Sequence, residues 1–169
     1  FRIAIDGGKD SLSMSVKHKK YDIDSPGTLV LSSYVKCPNI YKKITPDIKE
    51  SGSCLYFIDL SSKASEERKM RMGGSTILRL KKEFEYKTPR LDFEDGLHHS
   101  FKIIQHCINN NFILSGHDKS DGGLITTLLE MAFSSNKGLH ISLPKDIGKN
   151  QIHEFLFNEE IGFVIELQS

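Results

Sequence analysis

Two short polar clusters hold the residue types from which phosphate and metal sites are built. Residues 117–124, His117-Asp118-Lys119-Ser120-Asp121-Gly122-Gly123-Leu124, set two carboxylates, a hydroxyl, an amine and two glycines between two apolar runs. Asp118 offers a hard oxygen to a divalent cation, Ser120 a hydroxyl to a phosphate or nucleoside oxygen, and the glycines let a ligand approach the backbone. The same residues suit a structural corner. Ser120 or Asp121 is a good helix N-cap, and Gly122 and Gly123 serve a tight turn. Residues 6–11, Asp6-Gly7-Gly8-Lys9-Asp10-Ser11, repeat the chemistry. Open N–H groups at Gly7 and Gly8 with the Lys9 ammonium suit a phosphate, and Ser11 adds a further donor. The structural alternative is an Asp-Gly hairpin turn. The GxxxxGK[ST] spacing is absent, so neither cluster is a Walker loop. Two such clusters in one chain weigh toward a ligand.

The elements that must carry these clusters follow from periodicity. Residues 1–5 (FRIAI) and 12–16 read as strands around the first cluster, and Lys17-His18-Lys19-Lys20 reads as a solvated hairpin tip. A turn through Ser25-Pro26-Gly27 leads to a third strand at 28–35 (TLVLSSYV), rich in apolar and β-branched residues. Residues 37–51 form a linker or short helix, and a strand at 54–60 (CLYFIDL) opens a second unit. Gly73-Gly74-Ser75 precedes a helix over 76–84, after a charged loop at 63–71. Leu97, Phe101, Ile104 and Ile108 recur at helical spacing within 92–110, and Asn109-Asn110-Asn111 supplies a stop. The second cluster then lies between a strand at 111–115 and a helix over 124–133. Backbone N–H groups at such a junction lack partners and attract anions. A strand at 139–143, a short helix at 152–157 and a strand at 162–167 complete the pattern. The fold class is α+β, mixed α and β without clean βαβ alternation.

The 169 residues are enough to bury a core in one domain or one domain plus part of another. The formal net charge is +1, from 23 Lys+Arg against 22 Asp+Glu, so no general electrostatic case exists for nucleic acid or membrane as a partner. Three cysteines without CxxC spacing argue against a disulfide framework or zinc site and fit a reducing, cytoplasmic setting. No apolar run reaches membrane-spanning length and no signal peptide is visible. The chain opens without Met inside a strand-like run, so a piece of a longer protein is expected. His117 could orient Asp118 or move a proton, though packed strand-end histidines are commoner. Glu159-Glu160 could ligate metal or cap a turn, Glu130 could buttress a neighbour, and His98-His99 suit a solvated helix surface.

Several blocks together resemble one family. Residues 7–14 (GGKDSLSM), 26–30 (PGTLV) with 35–38 (VKCP), 117–124 (HDKSDGGL) with 129–133 (LEMAF), and 157–162 (FNEEIG) are similar, in order, to signatures of the phosphoribosylformylglycinamidine synthase family. Gly73-Gly74-Ser75 matches a family LGGS turn in which Met72 stands for the Leu, and the charged stretch before it departs from the family pattern. These enzymes are the large amidotransferases of de novo purine synthesis, within the superfamily of aminoimidazole ribonucleotide synthetase and selenophosphate synthetase.

The resemblance implies a fragment of the synthetase portion. Residues 1–50 would end a sheet-bearing N-terminal-type domain, and residues 51–169 would form an incomplete C-terminal-type α/β domain. The family converts formylglycinamide ribonucleotide to the amidine with ATP and ammonia from glutamine, ATP activating the amide oxygen as a phosphoryl ester. Asp118 matches a Mg2+ ligand, and Ser120 matches a residue at the nucleotide. Gly7, Gly8 and Ser11 match a loop facing nucleotide and substrate phosphate, with Lys9 where shorter relatives have Asn. An ammonium there would stand in for metal charge at a phosphate. The expected cofactors are ATP or ADP with Mg2+. The expected partners are formylglycinamide ribonucleotide and the remaining domains of the enzyme, including a glutaminase. The fragment alone is expected to be inactive, since it has no glutaminase cysteine arrangement. The competing reading is a non-catalytic structural or interaction module that keeps an auxiliary nucleotide site.

Overall fold

A computed structural model describes residues 4–11 and 13–167. The chain divides into two compact units, Phe1–Pro38 and Asn39–Ser169. In the first, β1 (Ser15–His18) and β2 (Tyr21–Asp24) form an antiparallel hairpin whose turn is Lys19-Lys20, the basic tip expected from the sequence. The strand β2 was not foreseen. Residues 1–3 and Leu12 of the expected first two strands lie outside the described residues, and Ala4 and Ile5 are not in a strand. Residues 28–35 also form no strand. Leu29, Val30, Leu31, Tyr34 and Val35 stand exposed, and the two-stranded hairpin does not pair with them. A β-branched run becomes a strand only where a neighbour accepts its backbone hydrogen bonds, so propensity overshot here.

The second unit is mixed α and β. Its sheet has the order β3-β5-β4, all antiparallel, with β3 (Leu55–Asp59) and β4 (Ile113–Asp118) flanking the central β5 (Gly162–Leu167). One face of β5 carries Gly162, Val164 and Glu166, all buried, because side chains alternate along a strand. Val164 packs there with Leu124, Leu128 and Met131 of α3 (Gly123–Ser135), Phe155 of α4 (Ile152–Phe157) and Ile48 from the preceding linker. The three α3 residues recur at helical spacing, which is why that helix buries this face. The opposite face meets α2 (Glu94–Asn109), where Phe101 packs edge-on against Phe163 with ring centres 5.6 Å apart.

Helix ends have identifiable causes. Glu94 and Asp95 complement the start of α2. α1 (Thr76–Lys81) and α3 both end on a left-handed residue, Lys82 and Asn136, whose N–H and the next residue's turn back onto the last carbonyls. The expected strand at 139–143 does not form. Leu139 packs beside the core, while Ile141 and Leu143 remain exposed and no sheet edge pairs with the run. The break between compact units falls at Pro38/Asn39. The cause is that Ile48 is a core residue and residues 45–50 hydrogen-bond into the sheet.

Candidate functional site

The first cluster lies in the first unit. Gly7 and Gly8 are exposed in irregular backbone, and a Cβ on either would meet no atom within 4 Å. The Lys9 ammonium donates to the Ser11 hydroxyl. No Asp-Gly hairpin turn forms at residues 6 and 7, since the hairpin turns at Lys19-Lys20. The glycines, Lys9 and Ser11 therefore share one loop, in which Gly7, Gly8 and Lys9 are exposed and Ser11 is half-buried.

The second cluster is built more firmly. β4 extends three residues beyond the expected strand and ends on Asp118, opposite Phe163 of β5. The Asp118 side chain is 64% exposed. His117 stands beside it with Nδ1 3.2 Å from Asp118 Oδ1, and its Nε2 lies 3.0 Å from Glu130 Oε2. Glu130 thus buttresses the ring that contacts Asp118. Ser120 is exposed on the turn that follows, and its carbonyl accepts the N–H of Gly123 at 3.0 Å. Asp118 and Ser120 share one corner. The helix cap is neither Ser120 nor Asp121 but Gly122, at φ 84°, with no side chain to cap with. Two left-handed glycines bend the chain sharply enough to start α3 one or two residues later than those caps would.

Lys119, between the two exposed site residues, points the other way. It is 7% exposed, its N–H donates to Gly162 O at 2.8 Å, and Nζ donates to Asn158 Oδ1 at 2.7 Å beneath the Phe57 ring. Burial pushes the Lys119 ammonium down to about 8, only partly countered by the carboxylates of Asp59 and Glu160. Strand alternation carries the signal: Ser115, His117 and Lys119 share a parity, and Ser115 is wholly buried.

Residues 158–160 form the hub of this region. Asn158 receives Lys119. Glu160, fully buried, takes Arg71 through Nε and through Nη2 at 2.8 Å. The hydrogen bond that Arg71 donates to Glu160 chiefly raises its guanidinium above the ordinary value, and Nη1 adds Asp92 at 2.8 Å. Between them, Glu159 Oε1 accepts the N–H of Gly122 and the N–H of Thr76, each at 2.8 Å. The carboxylate pair thus caps turns and pairs a guanidinium, the second of the two roles open from sequence.

A second buried carboxylate, Glu166, holds the linker. It accepts the N–H groups of Lys49 and Glu50 at 2.8 and 2.9 Å and the hydroxyls of Ser53 and Ser115 at 2.7 Å. Burial pushes its carboxyl up, but the bonds from Lys49, Ser53, Glu50 and Ser115 outweigh that and leave it below the usual range. Its position was readable: Glu166 shares a face with Val164 in an alternating strand.

The corner can take a metal in one mode. Among the described residues no three His, Cys, Asp or Glu side chains converge into a cage. Mg2+ commonly binds through one or two carboxylates plus phosphate oxygens and water, and a single exposed Asp118 oxygen fits that mode. Among the described residues no helix is long and apolar enough to cross a membrane.

Comparison with known proteins identifies the family of the chain. Residues 52–167 fit the family model of the AIR synthase related protein, C-terminal domain. Over 98% of its length the chain is 43% identical to a probable phosphoribosylformylglycinamidine synthase, chloroplastic/mitochondrial, of Arabidopsis thaliana. It is 39% and 40% identical to the phosphoribosylformylglycinamidine synthases of Homo sapiens and Dictyostelium discoideum, again over 98% of the chain. It spans only 11%, 12% and 13% of those three proteins. The sheet with its flanking helices, the Gly73-Gly74-Ser75 and Gly122-Gly123 turns, and the hub at 158–160 all fall within the matched residues. The chain belongs to the AIR synthase related family and carries its C-terminal domain.

Proposed function

We propose that this chain is a nucleotide-holding part of a phosphoribosylformylglycinamidine synthase. That enzyme makes formylglycinamidine ribonucleotide from formylglycinamide ribonucleotide with ATP and glutamine, in de novo purine biosynthesis. The observation that carries the reading is 39–43% identity across 98% of the chain to proteins of that name. Residues 1–50 act as the end of an N-terminal-type domain and 51–169 as the C-terminal-type domain, and catalysis requires the rest of the enzyme, including a glutaminase. Formylglycinamide ribonucleotide and ATP are the small-molecule partners, in the cytoplasm.

Within the chain, Asp118 holds Mg2+, steadied by His117 and, through it, Glu130. Ser120 touches the nucleotide. Gly7 and Gly8 offer backbone N–H groups to phosphate, Lys9 adds positive charge and Ser11 a hydroxyl. The metal, when bound, supplies positive charge that shields phosphate oxygens. The test is calorimetry of Mg-ADP on the full-length protein. Asp118→Ala should weaken binding by about tenfold or more, as expected for loss of a metal ligand. Unchanged affinity sinks the metal role.

One observation favours a second reading, in which the nucleotide is a structural element rather than a reactant. The buried ionic groups beside the corner (Lys119, Glu160, Arg71) are satisfied by one another or by Asn158 and Asp92, which suits packing more than chemistry. Full turnover by an Asp118→Ala protein that has lost nucleotide would select that reading.

A further inference from the structure

Glu159 joins two turns that lie far apart in the sequence. α1 begins after Gly73-Gly74-Ser75, and α3 begins after Gly122. Neither helix is capped from within. Ser75, the N-cap of α1, makes no capping bond and its buried Oγ has no hydrogen-bond partner, and Gly122 has no side chain. One oxygen of Glu159 accepts an N–H from each start, Thr76 and Gly122, both at 2.8 Å. The carboxylate charge suits both helix beginnings.

The surrounding backbone leaves this oxygen little freedom. A Cβ on Gly123 would lie 2.7 Å from the Asn158 carbonyl and 2.8 Å from that of Leu156, so the 156–158 backbone is pressed against the glycine turn. A Cβ on Gly73 would lie 2.6 Å from Glu85 O, so the other turn is equally confined. On either side of Glu159, Asn158 is held by Lys119 and Glu160 by Arg71. The carboxylate is therefore anchored at both neighbours and spans a fixed gap. The corner that bears Ser120 two residues before Gly122, and Asp118 two before that, inherits its placement from this bond.

We infer that Glu159 is a positioning residue for the Asp118–Ser120 corner: by fastening the Gly122 turn to the Gly73-Gly74-Ser75 turn, it sets the geometry in which the corner receives a magnesium-bound nucleotide. The inference rests on the nucleotide reading of that corner. Glu159 acts through the backbone and touches no ligand itself.

Three substitutions in the full-length protein test it, with Mg-ADP affinity by calorimetry and the melting temperature without nucleotide as paired readouts. Glu159→Gln keeps an oxygen able to accept both N–H groups and should stay within about threefold of the parent affinity. Glu159→Asp keeps the charge but is one methylene too short for both bonds, and Glu159→Ala removes them. Both should lose about tenfold or more, the scale of a lost charge-assisted hydrogen bond. Should Glu159→Ala fail to fold, the Asp against Gln contrast still decides. A lower melting temperature with unchanged affinity in the Asp and Ala proteins would make Glu159 merely structural and overturn the inference. So would equal losses in the Gln and Asp proteins. Asp118→Ala run alongside separates the two ideas. If it loses affinity while the Glu159 series does not, the nucleotide reading stands and the positioning role falls. If only the Glu159 series loses affinity, the positioning role stands and the metal ligand lies elsewhere.

Discussion

The two glycine clusters use nearly the same letters and are embedded in opposite ways. At residues 6–11 a Cβ on either glycine would meet no atom within 4 Å, and the Lys9 ammonium donates to the Ser11 hydroxyl at the exposed surface. At residues 117–123 the glycines adopt left-handed backbone, one of them pressed on a neighbouring carbonyl, and the amides and the central lysine are tied to residues some forty positions away. Composition announces ligand chemistry in both. The second is held in shape by its own unit. A polar motif becomes a preorganised site when buried partners remove its freedom, and those partners lie outside the motif.

That contrast can be broken at several points. The largest effect is expected from Glu166→Ala, which strands two backbone amides and two hydroxyls in the second unit and should cost about 4 kcal/mol in denaturant melts. An equally costly Lys9→Ala would erase the distinction. The Glu166 contribution also has a pH signature. Its carboxyl is lower in the folded than in the unfolded chain, so the stability it adds is complete above the ordinary carboxylate range and is lost as pH falls through the folded value. Glu166→Gln should therefore flatten the acid side of the stability curve.

Next comes a matched pair. Gly123→Ala puts a Cβ on the Asn158 carbonyl at φ 74° and should destabilise by about 3 kcal/mol, whereas Gly8→Ala should stay within about 0.5 kcal/mol. Similar costs at both positions would mean that the first loop is as constrained as the second.

A smaller effect sharpens the role of Lys119. Its ammonium is pushed down to about 8 when folded, against 10.5 for a free lysine, so the folded state releases its proton first and stability rises between those values. Below pH 8 the burial penalty is fully present, and above 10.5 it is gone. The gain is at most roughly 3 kcal/mol, read as the difference in melts between the parent and Lys119→Met from pH 7 to 11. A parent curve parallel to that of the Met protein would refute the burial.

Much of the second unit was legible. Apolar spacing gave α2 and α3, and the expected strands at 54–60 and 162–167 meet β3 and β5 nearly to their ends. The two phantom strands, 28–35 and 139–143, show what local reading omits: whether a paired neighbour exists. β2 was hidden for the converse reason, since a four-residue run of alternating acids and apolar residues says little until its partner is known. At the site, Asp118 and Ser120 stood out because exposed polar residues at a strand end are visible in one dimension. Lys119, Glu159 and Glu166 were harder. Their significance lies in what they reach across the fold, and alternation along β4 and β5 was the only local trace of it.

The anchoring of residues 45–50 by Glu166 also fixes where a protease could part the chain without harm. A cut between Pro38 and Asn39 spares Ile48 and both amides on Glu166, and should leave a resistant core. A nick after residue 50, just where the family match begins, strips those amides and one wall of the core away. A clone trimmed to the matched residues would inherit that same wound.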